Sequence, residues 1–255
     1  MEIYSFKGKI NPVRSGINCS KTKHKAYSPE INLEYDVEFE IKESQVNVTI
    51  SSDGELTKPG VRYIACVSEM ARAVIEAYLD TYGFIAGIGF EVEIEDLLDD
   101  GEWVSLQYTV PILENRNRNI DAEMIRLNKL YNNPNSWHLQ QCFGDLRRAI
   151  RHVNDTGYYC YRAIESLASF FKDDYAEQMK TQTWNKFNEI VGIDKSITFK
   201  IKKYADASRH GSVIPMPSDL RGEIFKNTWE IVDRFILFAE NGYGGLNSPI
   251  HKMTK

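Results

Sequence analysis

Residues 31–42, INLEYDVEFEIK, decide the character of the first half of the chain. Ile31, Leu33, Tyr35, Val37, Phe39 and Ile41 alternate with Asn32, Glu34, Asp36, Glu38, Glu40 and Lys42. Strict period-two alternation predicts a strand with one buried and one wet face. Beyond a short polar turn near Ser44 and Gln45, Val46, Val48 and Ile50 keep the same beat, so residues 31–51 read as a hairpin. The SSDGE segment then supplies turn residues that close it.

Outward from the hairpin the period changes. From Pro59, the residues Val61, Ile64, Val67, Met70, Val74, Ile75, Tyr78 and Leu79 recur every three or four positions, the spacing of an amphipathic helix, with Gly83 as its expected end. FIAGIGFEVEIE and WVSLQYTV then read as two more strands about a DDGE turn. The GIG within the first lacks the third glycine and the following helix of a dinucleotide fingerprint, so it predicts a bulge or close backbone approach instead. Upstream, NPVRSGINCSKTKHKAYSP reads as a long basic loop between the first strand and the hairpin, carrying Arg14, Lys21, Lys23, His24 and Lys25 beside Tyr27. Such a loop suits RNA contact, with Lys21, Lys23 and Lys25 on phosphates.

The second half reads as helix throughout. A polar, Asn-rich stretch, ENRNRNID (114–121), marks the boundary between an α+β domain (1–113) and a helical domain (114–255). Helices are expected near 121–132, 136–153, 156–173, 175–191 and 195–210, with a last one from Ser218 or Asp219 to about residue 240. Asp155 and Thr156 stand where the third of these needs a cap. The predicted fold class is therefore α+β: a small mixed domain of four or five strands around one long helix, followed by an all-helical bundle.

Charge divides along the same line. Residues 1–111 hold 10 Lys/Arg against 19 Asp/Glu, and residues 112–255 hold 21 against 17. The excess in the second half permits an anionic partner without the strong basic stripe of a dedicated nucleic-acid binder. No apolar run reaches the roughly 20 residues a bilayer span needs, and the start, MEIYSFKGKI, lacks the apolar core of a signal peptide. The scattered Cys19, Cys66, Cys142 and Cys160 read as reduced thiols of a cytoplasmic protein. P-loop, HExxH, GxSxG and zinc-spaced His/Cys patterns are all lacking, so no metal or cofactor is expected.

The chemistry-bearing segment is YADASRHGSV (204–213). On a helix, Lys203, Asp206 and His210 share a face, where Asp206 can orient the imidazole of His210 one turn away. Lys203 and Arg209 place positive charge nearby, completing the parts for general-base attack on a phosphodiester. The opposing view is a dipole-complementing last helical turn with a glycine cap. A second basic run, Arg147, Arg148, Arg151 and His152, forms a face suited to a phosphate backbone, or a solvated face pairing with Asp145. Arg162 and Glu165, three apart on an aromatic helix, can pair internally or support a site.

The order GDLRRAIRHV, polar turn, GYYCYRAIESLASFF, further helices, then a basic His–Gly segment before a last amphipathic helix resembles the HEPN superfamily over residues 135–242. That resemblance implies a helical bundle of prokaryotic toxin, antiphage-defence or CRISPR-associated type. It also implies a homodimer and a metal-independent endoribonuclease with His210 as base. The family's arginine position falls on Ala205, which leaves the cation to Lys203 or Arg209. The alternative implied is a non-catalytic HEPN-like module that binds a protein or small molecule, with the first domain holding the partner.

Overall fold

The computed structural model describes residues 1–28, 32–57, 64–106, 110, 113, 118–172, 180–209, 216 and 218–244. The chain divides into two units, Met1–Tyr108 and Thr109–Lys255. The division falls earlier than the expected 113/114 junction because Val110 and Leu113 pack into the helical core.

The first unit is a six-stranded antiparallel sheet in the order β2-β3-β4-β1-β5-β6. Its strands are β1 (Glu2–Asn11), β2 (Cys19–Ser28), β3 (Leu33–Lys42), β4 (Gln45–Ser52), β5 (Glu91–Asp99) and β6 (Glu102–Ser105). The hairpin is β3–β4, joined by Glu43 and Ser44 at φ 50° and 65°. Both are non-glycine residues in the left-handed region, the backbone that a two-residue hairpin turn demands. Ser44 is tied there by its N–H to the Ile17 carbonyl (3.0 Å) and by its hydroxyl to the Val13 carbonyl (3.1 Å). Leu33, Tyr35, Val37, Phe39 and Ile41 fall on the inner half of the alternation as expected, while Ile31 lies outside the described residues.

Two readings need correction. The expected basic loop is mostly β2, the sixth strand that the expected four or five left out. Thr22, His24 and Ala26 face inward, too small or too polar to signal a buried stripe, and Lys21, Lys23 and Lys25 face out on the sheet's edge. Lysines on an edge strand discourage pairing with another sheet. Gly83 does not end the helix either: α1 runs Ile64–Ala86, and Gly87 at φ 69° stops it. A Cβ on Gly83 would stand 2.3 Å from the Ile88 carbonyl oxygen, so glycine is kept there for a close approach. FIA of the expected strand is consequently helical, and β5 begins at Glu91. The helix lays Val67, Ala71, Ile75 and Leu79 into one core with Phe6, Ile10, Val37, Phe39 and Ile50.

The second unit is helical: α2 (Ile120–Leu130), α3 (Trp137–Arg151), α4 (Thr156–Ala168), α5 (Lys180–Ile190), α6 (Lys195–Arg209) and α7 (Ser218–Glu240). The expected helices match these in order, and residues 173–179, where one was expected to begin, lie outside the described set. The core includes Leu146, Ala149, Cys160, Ile164, Leu167, Ile201, Ala205, Phe225, Phe235 and Phe238. From α7, Arg221 donates to the carbonyls of Ala149 (3.4 Å) and Ile150 (3.0 Å), and Arg234 to those of Val191 (3.3 Å) and Gly192 (3.2 Å). The first two lie in the last turn of α3, where carbonyls have no partner within the helix, and the other two lie just beyond the end of α5. Arg126 of α2 forks onto both carboxylate oxygens of Glu240 (2.5 and 2.8 Å), which raises its already high pKa further. All four cysteines are free, and no helix among the described residues is long and apolar enough to cross a membrane.

Buried His138, on the first turn of α3, places Nδ1 2.9 Å from the Ser166 carbonyl and 3.0 Å from Ser169 Oγ. Burial lowers its pKa below the ordinary value, outweighing the bond to Ser166. The unfolded chain thus takes up a proton near the ordinary histidine value of about 6.5 while the folded chain resists it. This group's stabilisation is complete above that pH and is lost as the pH falls below it. Urea denaturation followed by circular dichroism should show the midpoint falling between about pH 7.5 and about pH 5.5, and falling less in His138→Gln. An equal fall in both would remove His138 from the acid response.

Candidate nucleic-acid interface

Helices α3 and α4 are joined by a single tight 3-10 turn, Val153–Asp155. So short a link forces them back to back. Their contacts step in opposite directions: His138 meets Ser166 and Ser169, Asp145 meets Arg162, and Thr156 meets Ala149. Thr156 does not cap α4 as expected, and Asp155 makes no side-chain cap bond. The threonine hydroxyl instead turns back to the Ala149 carbonyl (3.0 Å) and receives Arg221 Nε (2.9 Å). Demand from the orphan carbonyls of α3 wins over the N-terminus of α4.

Two turns from that link, Asp145 is 1% exposed. Its Oδ1 accepts from Arg148 Nη1 at 3.1 Å, and Arg162 Nη2 lies 3.4 Å from the same oxygen. Its Oδ2 is buried with no hydrogen-bond partner among the described residues. One carboxylate therefore steadies two guanidiniums from two helices, and both guanidinium side chains stay about two-fifths exposed (43% and 39%). Burial works against the charge of Arg162, but Asp145 and the Tyr158 hydroxyl outweigh it and hold its pKa above the usual value.

Aromatic rings flank the pair. The Arg162 guanidinium lies 5.5 Å from the Tyr158 ring centroid and 5.9 Å from that of Tyr159, within cation–π range. The two tyrosines meet edge to face at 5.2 Å, and His152 lies 5.7 Å from Tyr159. Burial first, and then Asp155, raise the Tyr159 pKa against the opposing pull of Arg148 and Arg162, so its phenol keeps its proton. Arg147 is exposed and Arg151 half-buried near the end of α3. This end of the hairpin offers forked cations beside flat rings, which is what a phosphate with a neighbouring base requires.

Of the expected catalytic group, His210 and the side chain of Arg209 lie outside the described residues. Lys203 is exposed, and Asp206 has Lys202 Nζ at 3.7 Å on its own helix. Of the second basic run, Arg148 meets Arg162 at Asp145 and His152 lies against Tyr159, while Arg147 is exposed and Arg151 half-buried. Glu165 is half-buried, and Arg162 reaches across to Asp145. Lys21 and Lys23 on β2 form ion pairs with Glu38 (2.7 Å) and Asp36 (2.9 Å). Sequence reading missed the part of Tyr158 and Tyr159, and saw Asp145 only as one charge on a solvated face. Its position among Cys142, Leu146 and Ala149 on the apolar stripe of α3 was the available signal.

No curated protein and no solved structure matches the chain. Residues 4–114 match a family model described as the N-terminal domain of a domain of unknown function, DUF8168. Residues 124–240 match the C-terminal domain of the same family. The two matches follow one another in chain order and together take in nearly all of it, so the chain belongs to the DUF8168 family.

Proposed function

We propose that the helical unit binds single-stranded RNA on the α3–α4 end, in a cytoplasmic homodimer of the prokaryotic defence or toxin type that its HEPN-like sequence pattern implies. The observation that carries this is the buried Asp145 holding Arg148 and Arg162 together while both remain open to a ligand. A carboxylate with an unmet oxygen is a poor stabiliser, because a buried charge costs more in desolvation than imperfect pairing returns. Its worth lies in ordering two donors for an anion. Tyr158, Tyr159 and His152 supply stacking faces that bases held in a duplex cannot use, which favours a single strand.

Fluorescence anisotropy with a labelled oligouridylate of about 12 nucleotides tests the reading. Arg162→Gln should weaken binding about fivefold and lower the salt slope by about one phosphate contact. Affinity unchanged in that variant, or no salt-dependent binding at all, would overturn it and leave the protein- or small-molecule-binding alternative. Incubating the same RNA with the protein in EDTA addresses cleavage: cutting that His210→Ala abolishes supports a metal-independent endoribonuclease, and intact RNA that still binds supports a non-catalytic module.

A further inference from the structure

The two edges of the sheet are not alike. On β2, Lys21, Lys23 and Lys25 stand outward along the strand, a charge pattern that keeps a second sheet away. The other edge, β6, carries neither lysine nor proline, and all four of its residues, Glu102–Ser105, are exposed.

The backbone of β6 is open as well. Strands β5 and β6 meet through a two-residue turn, Asp100 and Gly101 at φ 45° and 85°, which makes Asp99 and Glu102 the first hydrogen-bonded pair. Leu106 N–H donates to the Glu95 carbonyl (2.7 Å), in step with that pair. In an antiparallel ladder such pairs alternate with residues whose N–H and C=O point the opposite way. Here those residues are Trp103 and Ser105, and β6 is last in the sheet order, so their backbone groups lie on the open edge. Such groups are what an added strand takes up.

The side chains select the kind of strand. Leu98 and Trp103 leave apolar surface on one face of the hairpin and Val104 on the other. Beside them Asp99, Asp100 and Glu102 are exposed, with no cation within ion-pair distance among the described residues. Asp96 accepts from the Ser105 hydroxyl (2.9 Å), and Lys7 lies over the Trp103 ring at 3.9 Å, a single charge that does not balance these carboxylates. A second copy would bring a hairpin of the same sign, and like charges brought together disfavour pairing. A basic chain meets the opposite sign. The unpaired backbone makes the site, and the carboxylates choose its occupant.

We propose that the β6 edge accepts an extended basic peptide of a partner protein as a seventh strand, independent of the RNA interface. Fluorescence anisotropy of the full chain with a labelled peptide of alternating lysine and valine, about eight residues long, tests it. One saturable site per chain is expected. The same peptide N-methylated at alternate residues keeps every charge and apolar group but loses the donors of one edge, and it should bind roughly tenfold more weakly. That comparison uses the wild-type chain, so it does not depend on a variant folding. Ser105→Pro removes an outward N–H and no bond of the existing ladder, and should weaken binding about fivefold. Glu102→Lys should weaken it roughly tenfold and flatten its salt dependence. Arg162→Gln should leave it unchanged. Equal binding of the methylated and parent peptides would overturn the proposal by reducing it to bulk attraction, and so would the lack of saturable binding. A dimer in sedimentation velocity that Ser105→Pro dissociates would give the edge to a second copy and overturn it too.

Discussion

Asp145→Asn should weaken RNA binding by about tenfold while leaving thermal stability within about 3 °C of the wild type. The two effects are opposite to what simpler accounts give. If the helical unit attracted RNA only through net charge, removing a negative group would tighten binding. If Asp145 were chiefly a structural anchor, its neutralisation would lower the melting temperature markedly. The arrangement seen predicts neither. Asparagine keeps the volume and an acceptor for Arg148, and it removes a charge whose Oδ2 has no partner among the described residues. What disappears is the force that holds Arg148 and Arg162 at one point from two helices. Anisotropy at two salt concentrations, with a melt of the same sample, decides the matter. Tighter binding in the variant would show that bulk charge, and not ordering, draws the RNA.

The largest stability effect is expected at Gly157. A Cβ there would stand 2.7 Å from Tyr204 Cβ and 3.1 Å from Met216 Cε. The first is anchored to the backbone of α6 and cannot swing aside, so α4 and α6 must separate to admit a side chain. Gly157→Val should cost about 3 kcal/mol, at the upper end for overpacking a close-packed core. A unit of this size would melt roughly 6 to 12 °C lower. Gly157→Ala is the sharper comparison, because alanine in a helix gains up to about 1 kcal/mol over glycine by propensity alone. A net loss in the alanine variant shows that contact with Tyr204 outweighs propensity. A net gain in thermal melts would show that the two helices yield easily.

The fold was largely legible because most of its elements declare themselves by period. Residues 33–42 and 45–52 each alternate, and Ile197, Ile201 and Ala205 recur at the helical spacing and are buried. The strand β2 escaped because period-two alternation of Thr22, His24 and Ala26 against lysines carries almost no hydrophobic contrast. The end of α1 escaped because two glycines compete for it: Gly87, at φ 69°, is the left-handed cap, and the Ile88 N–H returns to the Gly83 carbonyl (3.1 Å) across the last turn. The candidate site was half legible for a similar reason. Arg148 and His152 lie in one run, four residues apart, and their nearness could be read from helical spacing. Their union with Arg162 and the tyrosines depends on a hairpin register in which residues seventeen apart, Asp145 and Arg162, meet. Spacing along one helix cannot report a contact between two.

The reach of α7 bears on how the protein is made. Arg221 and Arg234 satisfy the carbonyl ends of α3 and α5, and Phe225, Phe235 and Phe238 fill the middle of the bundle, yet all five emerge from the ribosome after every helix they complete. Until then the nascent helical unit holds open polar ends and an unfilled apolar seam. Its native packing must therefore wait for α7, while the sheet unit ahead of it already has its six strands.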